Sequence, residues 1–285
     1  MTITLPDAYA HCLHLTRSHY ENFPVASVFL PKRLREPISV IYAFARTADD
    51  FADEGDLAPE VRLAKLDTYV AGIDAITNGS TIDDPVFIAL KDVMSRHALP
   101  AQLFYDLLTA FRMDVTKQRY ANYDEVLYYC RHSANPVGRL LLHLYALATP
   151  INLAHSDAIC SALQLINFWQ DIGQDYHENN RIYLPQDEMA HYGVTEDHLQ
   201  QSRTDAKMRS LMAMQIERTR RLMLSGAPLG RVLPGRMGFE LRLTYHGGLR
   251  VLQALESQRD DAFTRPRLKA NDWLAMMWGA LARKQ

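Results

Sequence analysis

Apolar residues recur every three or four positions along most of the chain, which is the pattern of helices that bury one face. No segment shows the clear alternation of apolar and polar residues that marks a half-buried strand. Prolines and an Asn-Gly-Ser cluster separate the periodic stretches and supply helix starts and ends. The pattern therefore predicts an all-α protein. Its main predicted helices cover residues 7–20, 37–54, 59–77, 85–97, 100–117, 123–147, 156–176, 211–224, 236–255 and 266–282.

The second predicted helix combines a buried face with an acidic end. The residues of its apolar face are Ile38, Ile41, Ala45 and Ala48. Pro37 suits its first turn and Gly55 its end. Asp49 and Asp53 lie one turn apart near the C-terminus, where they repel by about 0.2–0.5 kcal/mol and the helix dipole disfavours them further. We therefore expect a divalent cation beside the pair, with Arg46 placed to hold an anionic ligand of that cation.

A second acidic pair, Asp171 and Asp175, has the same spacing. Gln164 and Asn167 precede it on one helical stripe of amide, amide and acid. The chain has 22 aspartates, and random placement would give about two such pairs, so the spacing alone proves little. The setting is more informative, because both pairs lie on apolar-periodic helices beside polar residues that can hold metal or phosphate. A solvated acidic face is the alternative interpretation of each pair.

Magnesium gives the two pairs a shared chemical purpose. Mg²⁺ prefers oxygen ligands, keeps several waters, and is usually held by one or two carboxylates together with substrate phosphates. Two acidic helices that face each other across a cavity would hold a few such ions, and a diphosphate would complete their coordination. The metals would stabilise the negative charge of a departing diphosphate, which is the chemistry of ionisation to a carbocation.

Composition narrows the class of protein. The net charge of −2 and the pI near 6.6 give no electrostatic footprint for nucleic acid. The chain has three cysteines, Cys12, Cys130 and Cys160, and no C-x-x-C spacing. This pattern favours free thiols in a reducing cytoplasm over a disulfide framework or a zinc site. No export signal is expected at the start, and the longest apolar stretch, 140–154, is too short and polar to span a bilayer. We expect one domain over residues 1–285.

Three segments resemble the squalene/phytoene synthase family: 42–54, 164–175 and the Arg-Ile-Tyr-Leu-Pro motif at 181–185. The likeness extends from about His19 to about Arg250. Within the family, the segment 19–27 is most similar to the hydroxysqualene synthase branch of bacterial hopanoid biosynthesis. The resemblance implies a single-domain, all-helical isoprenoid-synthase bundle of the prenyltransferase type, with a central cavity and Mg²⁺ at its mouth.

The resemblance also implies roles for individual side chains. The expected Mg²⁺ ligands are Asp49, Asp53, Asp171 and Asp175, with Gln164 and Asn167 in support. Arg46 and Arg181 are the expected diphosphate ligands, since guanidinium groups pair with phosphate oxygens. The expected lining of the cation path consists of Tyr42, Tyr129 and Tyr245. Phe23 is expected to line an apolar pocket, with an ordinary core position as the alternative.

Pro136 and Gly138 predict a kink or break in the 123–147 helix. A break in a buried helix exposes backbone carbonyls that can stabilise a cation, although a simple packing kink explains it equally well. Ser133 and Asn135 stand at this break and are candidates to position a water molecule.

The hydroxysqualene branch ionises presqualene diphosphate, opens its cyclopropane and quenches the cation with water. This reaction needs no NADPH, and the chain has no G-x-G-x-x-G site. Glu21 favours this branch because it would repel a second diphosphate, and the segment 133–138 departs from the Ala-Gly-x-Val-Gly pattern of condensing relatives. The alternatives are a condensing squalene or phytoene synthase that joins farnesyl diphosphates, and a non-catalytic helical subunit.

The last predicted helix bears on partners and location. A helix lying on a membrane would suit its apolar residues and basic end, and a core helix docked on the bundle is the alternative. These residues are Trp273, Leu274, Met276, Met277, Trp278 and Leu281, followed by Arg283 and Lys284. We expect a cytoplasmic protein with peripheral contact to the inner membrane face. A handover of presqualene diphosphate from its synthase is a further expectation.

Overall fold

The computed structural model describes residues 3–18, 31–53, 55, 57–266 and 270–281. In these residues the chain forms helices throughout, and the only strand-like feature is an isolated bridge between Arg119 and Ile182. The predicted all-α fold is confirmed. The helices are α1 (Leu5–Ser18), α2 (Lys32–Asp53), α3 (Pro59–Asn78), α4 (Pro85–His97), α5 (Gln102–Thr116), α6 (Tyr123–Ser133), α7 (Asn135–Leu144), α8 (Pro150–Gln170), α9 (Ile172–Asn179), α10 (Gln186–Tyr192), α11 (Glu196–Gln200), α12 (Ala206–Gly226), α13 (Leu229–Val232), α14 (Gly235–Ser257) and α15 (Ala270–Leu281).

The chain divides into two compact units. The first contains Met1–Thr116 and Pro136–Thr149, and the second contains Lys117–Asn135 and Pro150–Gln285. The prediction of one domain over residues 1–285 stays a prediction. In the described residues no helix is both long enough and apolar enough to cross a bilayer.

Phe44 of α2 lies at the centre of the first unit's core. Its ring centroid is 5.3 Å from that of Tyr69 on α3, 6.0 Å from Phe87 on α4 and 5.3 Å from Phe104 on α5. Such aromatic pairs add about 0.5–1.5 kcal/mol each beyond the area they bury. The core thus fixes α2 firmly against three neighbouring helices, and α2 carries the first acidic pair.

Helix α2 begins at Lys32, so Pro37 lies inside the helix and not in its first turn as predicted. The additional N-terminal turn is held by Leu34, which is 1% exposed. Burial of such a leucine stabilises the fold by about 1.5–3 kcal/mol, which offsets the hydrogen bond that Pro37 cannot donate.

Helices α8 and α12 pack closely in the second unit. A Cβ atom on Gly226 would lie 2.5 Å from Ile159 and 2.7 Å from the His155 carbonyl oxygen, so only glycine allows this approach. Trp169 of α8 is fully buried and donates its indole N–H to Thr219 Oγ1 of α12 at 2.8 Å. These contacts fix the end of α8, which leads into the second acidic pair.

Two predicted helices are interrupted. The break near Pro136 is confirmed, because α6 ends at Ser133 and α7 begins at Asn135. The prediction of one continuous helix over 156–176 was wrong. Asp171, with φ of −110° and ψ of 16°, separates α8 from α9. Aspartate at the break and Gly173 just beyond it are both poor helix formers, which lowers the cost of the interruption.

Candidate active site

Arg46 lies beside the first acidic pair. Its Nη1 is 3.3 Å from Asp49 Oδ2, and its Nη2 is 2.5 Å from Asp50 Oδ1. Its side chain is 19% exposed. The sequence pattern predicted a positive charge beside the acidic pair. Arg46, one turn before the acids, supplies part of that charge.

A second arginine, from α3, contacts the C-terminal end of α2, and it was not predicted from the sequence. Arg62 of α3 donates from Nη1 to the Ala52 carbonyl at 2.6 Å and from Nη2 to the Gly55 carbonyl at 2.6 Å. A guanidinium at a helix C-terminus satisfies orphan carbonyls and opposes the dipole. The charge of Arg62 therefore reduces the unfavourable effect of the helix dipole on the exposed Asp53 in the last turn.

Tyr42 lies one turn before Arg46 and is half-buried. Burial raises the pKa of its phenol, an effect that the nearby Arg46 charge opposes. The side chain therefore remains a neutral hydroxyl at neutral pH, able to donate one hydrogen bond.

The second acidic pair straddles the break between α8 and α9. The Asp175 N–H donates to the Asp171 carbonyl at 2.8 Å, so the two residues remain one turn apart. Burial raises the pKa of both carboxyl groups, and the negative charge of Asp171 helps to raise that of Asp175 to about 7. The nearby charges of Arg181 and Arg265 act in the opposite direction on Asp175.

Arg265 was not predicted as a site residue. Its Nε lies 3.1 Å from Asp171 Oδ1, with the arginine side chain 58% exposed and the aspartate 18% exposed. No local pattern around Arg265 marks it, because the contact joins the segment before α15 to the break after α8.

Arg181 lies next to Asp175. Its backbone N–H donates to the Asp175 carbonyl at 2.9 Å, and both residues line one small crevice. Ile182 donates its N–H to the Gln118 carbonyl at 2.9 Å, which fixes the 181–185 segment. A guanidinium and two carboxylates thus lie within one short stretch of chain.

The donor set of the second pair fits Mg²⁺. A carboxyl group whose pKa is raised by burial and by a neighbouring carboxylate lies where a cation would be favourable. Across the described residues, no three His, Cys, Asp or Glu side chains gather into a ready metal cluster. Each pair alone therefore offers two carboxylates, and waters and substrate phosphates commonly complete such a shell for Mg²⁺.

The two predicted supporting amides differ in exposure. Gln164 is half-buried on α8, whereas Asn167 is exposed in its last turn. The Asn167 carbonyl accepts the Asp171 N–H at 3.0 Å. The stripe predicted from Gln164 to Asp171 therefore runs to the end of α8.

Tyr129, a predicted site residue, belongs to an aromatic cluster that was not predicted. It is 6% exposed, and its ring centroid lies 5.7 Å from Phe168, 5.8 Å from Tyr183 and 6.0 Å from Tyr120. Phe168 and Tyr183 stack in parallel at 3.5 Å. These two stacked rings also line the crevice that holds Asp175 and Arg181. Both lie in the motifs that carried the resemblance, and that was the available signal.

Tyr245 lies elsewhere in the second unit. It is buried on α14 and lines a separate cavity of about 320 Å³ with Ile159 and Arg242. Its ring neighbour is His246, at 5.3 Å. Burial raises the pKa of its phenol. Within the described residues, no ring contact joins Tyr245 to Tyr129.

The break between α6 and α7 presents polar groups inside the protein. Asn135 is 3% exposed, and its Oδ1 accepts the Ser161 hydroxyl at 2.8 Å. The Ser133 Oγ atom is buried and has no hydrogen-bond partner in the described part of the chain. A buried hydroxyl without a partner is unfavourable and is a suitable place for a bound water.

Some predicted features lie outside the described residues. They are Phe23 and the neighbouring Glu21, together with Arg283 and Lys284 of the predicted membrane helix.

Comparison with known proteins gives consistent matches. A model of the squalene/phytoene synthase family matches residues 16–273. The chain is 38% identical to a hydroxysqualene synthase of Rhodopseudomonas palustris, over 92% of this chain and 88% of that protein. It is 36% identical to one of Sinorhizobium fredii, over 93% and 89%. A crystal structure of a squalene synthase from Alicyclobacillus acidocaldarius superimposes with a TM-score of 0.83 and 35% identity, covering 90% of this chain and 96% of that one.

Proposed function

Because the chain belongs to the squalene/phytoene synthase family, we propose that it converts presqualene diphosphate and water into hydroxysqualene, diphosphate and a proton. The family consists of enzymes that act on isoprenoid diphosphates. The observation that carries the proposal is the crevice where Asp175 and Arg181 meet the stacked rings of Phe168 and Tyr183. It combines groups for an anionic leaving group with aromatic faces for a cation.

An arginine beside each acidic pair would hold diphosphate. Arg181 would pair with phosphate oxygens, because its guanidinium can form two parallel hydrogen bonds with them. Arg46 would do the same beside the first pair after exchanging its contacts with Asp49 and Asp50. Each acidic pair would hold Mg²⁺, which when bound stabilises the negative charge of the departing diphosphate.

The aromatic cluster would receive the cation. When the C–O bond to diphosphate breaks, positive charge develops on the hydrocarbon and the cyclopropane opens. The ring faces of Tyr129, Phe168 and Tyr183 carry negative electrostatic potential, which stabilises such a charge by about 2 kcal/mol in a dry site. Their mutual stacking holds them in place and excludes bulk water.

The polar groups at the α6–α7 break would direct the quench. Ser133 offers a buried hydroxyl with no hydrogen-bond partner among the described residues, and Asn135 is held by Ser161. A water that accepts from or donates to these groups could add its oxygen to the allylic cation and lose its proton. This gives an alcohol without any hydride donor, so NADPH is not required.

A second candidate reaction is the head-to-head condensation of two farnesyl diphosphates. It is favoured by the 35% identity to a solved protein called a squalene synthase. The two hydroxysqualene synthases, which match over nine-tenths of the chain, favour the first candidate.

We further propose that the protein works in the cytoplasm at the inner face of the membrane. Substrate and product both carry a C30 hydrocarbon that partitions out of water. Peripheral contact with the bilayer, and direct handover from presqualene diphosphate synthase, would each avoid release of this hydrocarbon into water.

The test incubates the purified protein with Mg²⁺ and no NADPH, in parallel with presqualene diphosphate and with farnesyl diphosphate. Mass spectrometry should find a C30 alcohol from the first substrate and no change in the second. Consumption of farnesyl diphosphate would establish the condensing reaction instead. Loss of C30 alcohol formation in Asp175→Asn, with its circular dichroism unchanged, would assign the turnover to this site.

A further inference from the structure

Helix α15 is docked on the second unit by one face. Met276 is 5% exposed and Ala280 is fully buried. A Cβ atom on Gly279 would lie 2.8 Å from the His246 ring, so the glycine permits close packing on α14. The residues Met276 and Ala280 are one turn apart, and they define the buried side of the helix.

The opposite face of α15 is apolar and exposed. Trp273, Met277 and Leu281 recur every four residues and are 53%, 40% and 63% exposed, and the adjacent Trp278 is 76% exposed. We call these four residues the α15 surface. Soluble proteins rarely expose contiguous apolar patches of this kind unless the patch binds something.

Helix α13 is connected to the last turn of α15 by the hydrogen bonds of one arginine. Arg242 donates from Nε to the Ala280 carbonyl and from Nη1 to the Gly230 carbonyl, each at 2.7 Å. This arginine therefore ties α13 to the last turn of α15. The two residues after Gly230 are both exposed: Arg231 and Val232, the latter at 54%.

We infer that the α15 surface is the membrane-binding face of this protein, and that its partner is an anionic phospholipid bilayer. Tryptophan, present twice in the four residues, favours the membrane interface because one edge of its ring is polar and the rest is apolar. Exposed Arg231 of α13, the helix that Arg242 ties to the last turn of α15, supplies the charge that attracts anionic headgroups. The protein as a whole carries a net charge of −2, so only a local basic group can provide this attraction.

A helix of twelve residues lies on a bilayer and does not cross it. This surface would make the peripheral membrane contact proposed above. The inference rests on that proposed function only for the identity of the membrane in the cell. Its test uses no substrate. Failure of vesicle binding would leave turnover in detergent micelles intact, and failure of the proposed reaction would leave vesicle binding intact.

The test measures co-sedimentation of the full chain with vesicles of phosphatidylcholine alone and of phosphatidylcholine mixed with phosphatidylglycerol. We expect binding to both, stronger on the anionic vesicles and weaker as salt rises. Trp273→Ser with Trp278→Ser should lower the partition coefficient by about tenfold or more, since both side chains would otherwise enter the interface. Arg231→Gln should lower binding by about fivefold on anionic vesicles only.

Ile151→Ser is the matched control, because Ile151 is an apolar residue on α8 that is 70% exposed. It should bind vesicles like the unaltered chain. Brominated lipid should quench the fluorescence of Trp273 and Trp278 and spare that of Trp169, which is fully buried. The inference fails if the chain ignores both vesicles or if Ile151→Ser weakens binding equally. It also fails if sedimentation shows a dimer that Trp278→Ser dissociates, because a second copy would then cover the surface.

Discussion

Arg265 Nε lies 3.1 Å from Asp171 Oδ1, so an arginine occupies part of the space beside the carboxylate that is expected to bind a cation. The arginine is 58% exposed, so its contribution is at most about 1 kcal/mol. It lowers the pKa of Asp171 against the raising effect of burial. A cation that binds Asp171 must therefore displace or repel Arg265.

Arg265→Gln should raise the pKa of Asp171, because the replacement removes the neighbouring positive charge. At about pH 8, where the carboxylates are ionised, it should also tighten Mg²⁺ binding by up to about fivefold. Titration followed by NMR and calorimetry would measure the two effects. Arg259→Gln, an exposed arginine in the same segment between α14 and α15, is the control and should change neither quantity. Weaker Mg²⁺ binding in Arg265→Gln would show that Arg265 assists the ion.

Asp175 should make the metal-free protein less stable as pH rises. Its pKa is raised from 3.8 to about 7, so the unfolded chain loses this proton well before the folded one does. Folding stability linked to this group is therefore fully present below about pH 4 and is lost as pH rises to about 7. Asp175→Asn removes that loss and also removes a proposed Mg²⁺ ligand, so it should raise stability while abolishing turnover.

Urea unfolding in a chelator, at about pH 5 and about pH 8, would measure the effect. At the higher pH, Asp175→Asn should raise the free energy of unfolding by about 1–2 kcal/mol. This is less than the full pKa shift would give, because the Asp175 carboxyl is partly hydrated. Asp53→Asn, at an exposed position of α2, serves as the comparison and should not reproduce the stability gain of Asp175→Asn. An equal loss of stability with pH in Asp175→Asn would contradict the assignment.

Much of the helical framework could be predicted because its signals are local. Pro59 and Pro85 open α3 and α4 as expected, and Asp84 caps α4 by accepting the Val86 N–H at 2.8 Å. The predicted break at Pro136 was likewise a property of one residue. Helices α10, α11 and α13 were not predicted, since seven, five and four residues are too short to show a period.

The site itself could be predicted only where its residues lie close in sequence. Asp171, Asp175 and Arg181 follow one another, so a motif could identify them. Arg62 contacts the carbonyl groups at the end of α2 and Arg265 contacts the Asp171 carboxylate, and no local pattern distinguishes these two from surface arginines.

Ser133 should influence which product forms. Its buried hydroxyl has no hydrogen-bond partner in the described part of the chain, so in a purely structural role Ser133→Ala would be neutral or stabilising by about 1–3 kcal/mol. If the hydroxyl instead holds the quenching water, the variant should form more dehydrated C30 hydrocarbon and less alcohol while diphosphate release continues. Gas chromatography of the products and a diphosphate assay would separate these outcomes.

Ser161→Ala tests the role of Asn135 in the same water quench. It removes the hydroxyl that donates to Asn135 Oδ1 at 2.8 Å. It should shift the product ratio in the same direction as Ser133→Ala. An unchanged alcohol fraction in both variants would remove the α6–α7 break from the quench. A matching fall in diphosphate release would mean that these residues support ionisation instead.

The stack of Phe168 on Tyr183 should matter to the rate through its aromatic faces and not through its volume. The rings are parallel at 3.5 Å and line the crevice of Asp175 and Arg181. Phe168→Leu keeps an apolar side chain of similar size but removes one ring, so kcat should fall by up to about 30-fold, the rate equivalent of about 2 kcal/mol. Tyr129→Phe keeps its ring and should retain most of the activity. Steady-state kinetics with presqualene diphosphate would compare the two, with thermal unfolding as the check on folding. Full activity in Phe168→Leu together with a large loss in Tyr129→Phe would mean that the reaction needs the hydroxyl of Tyr129 and not the ring face of Phe168.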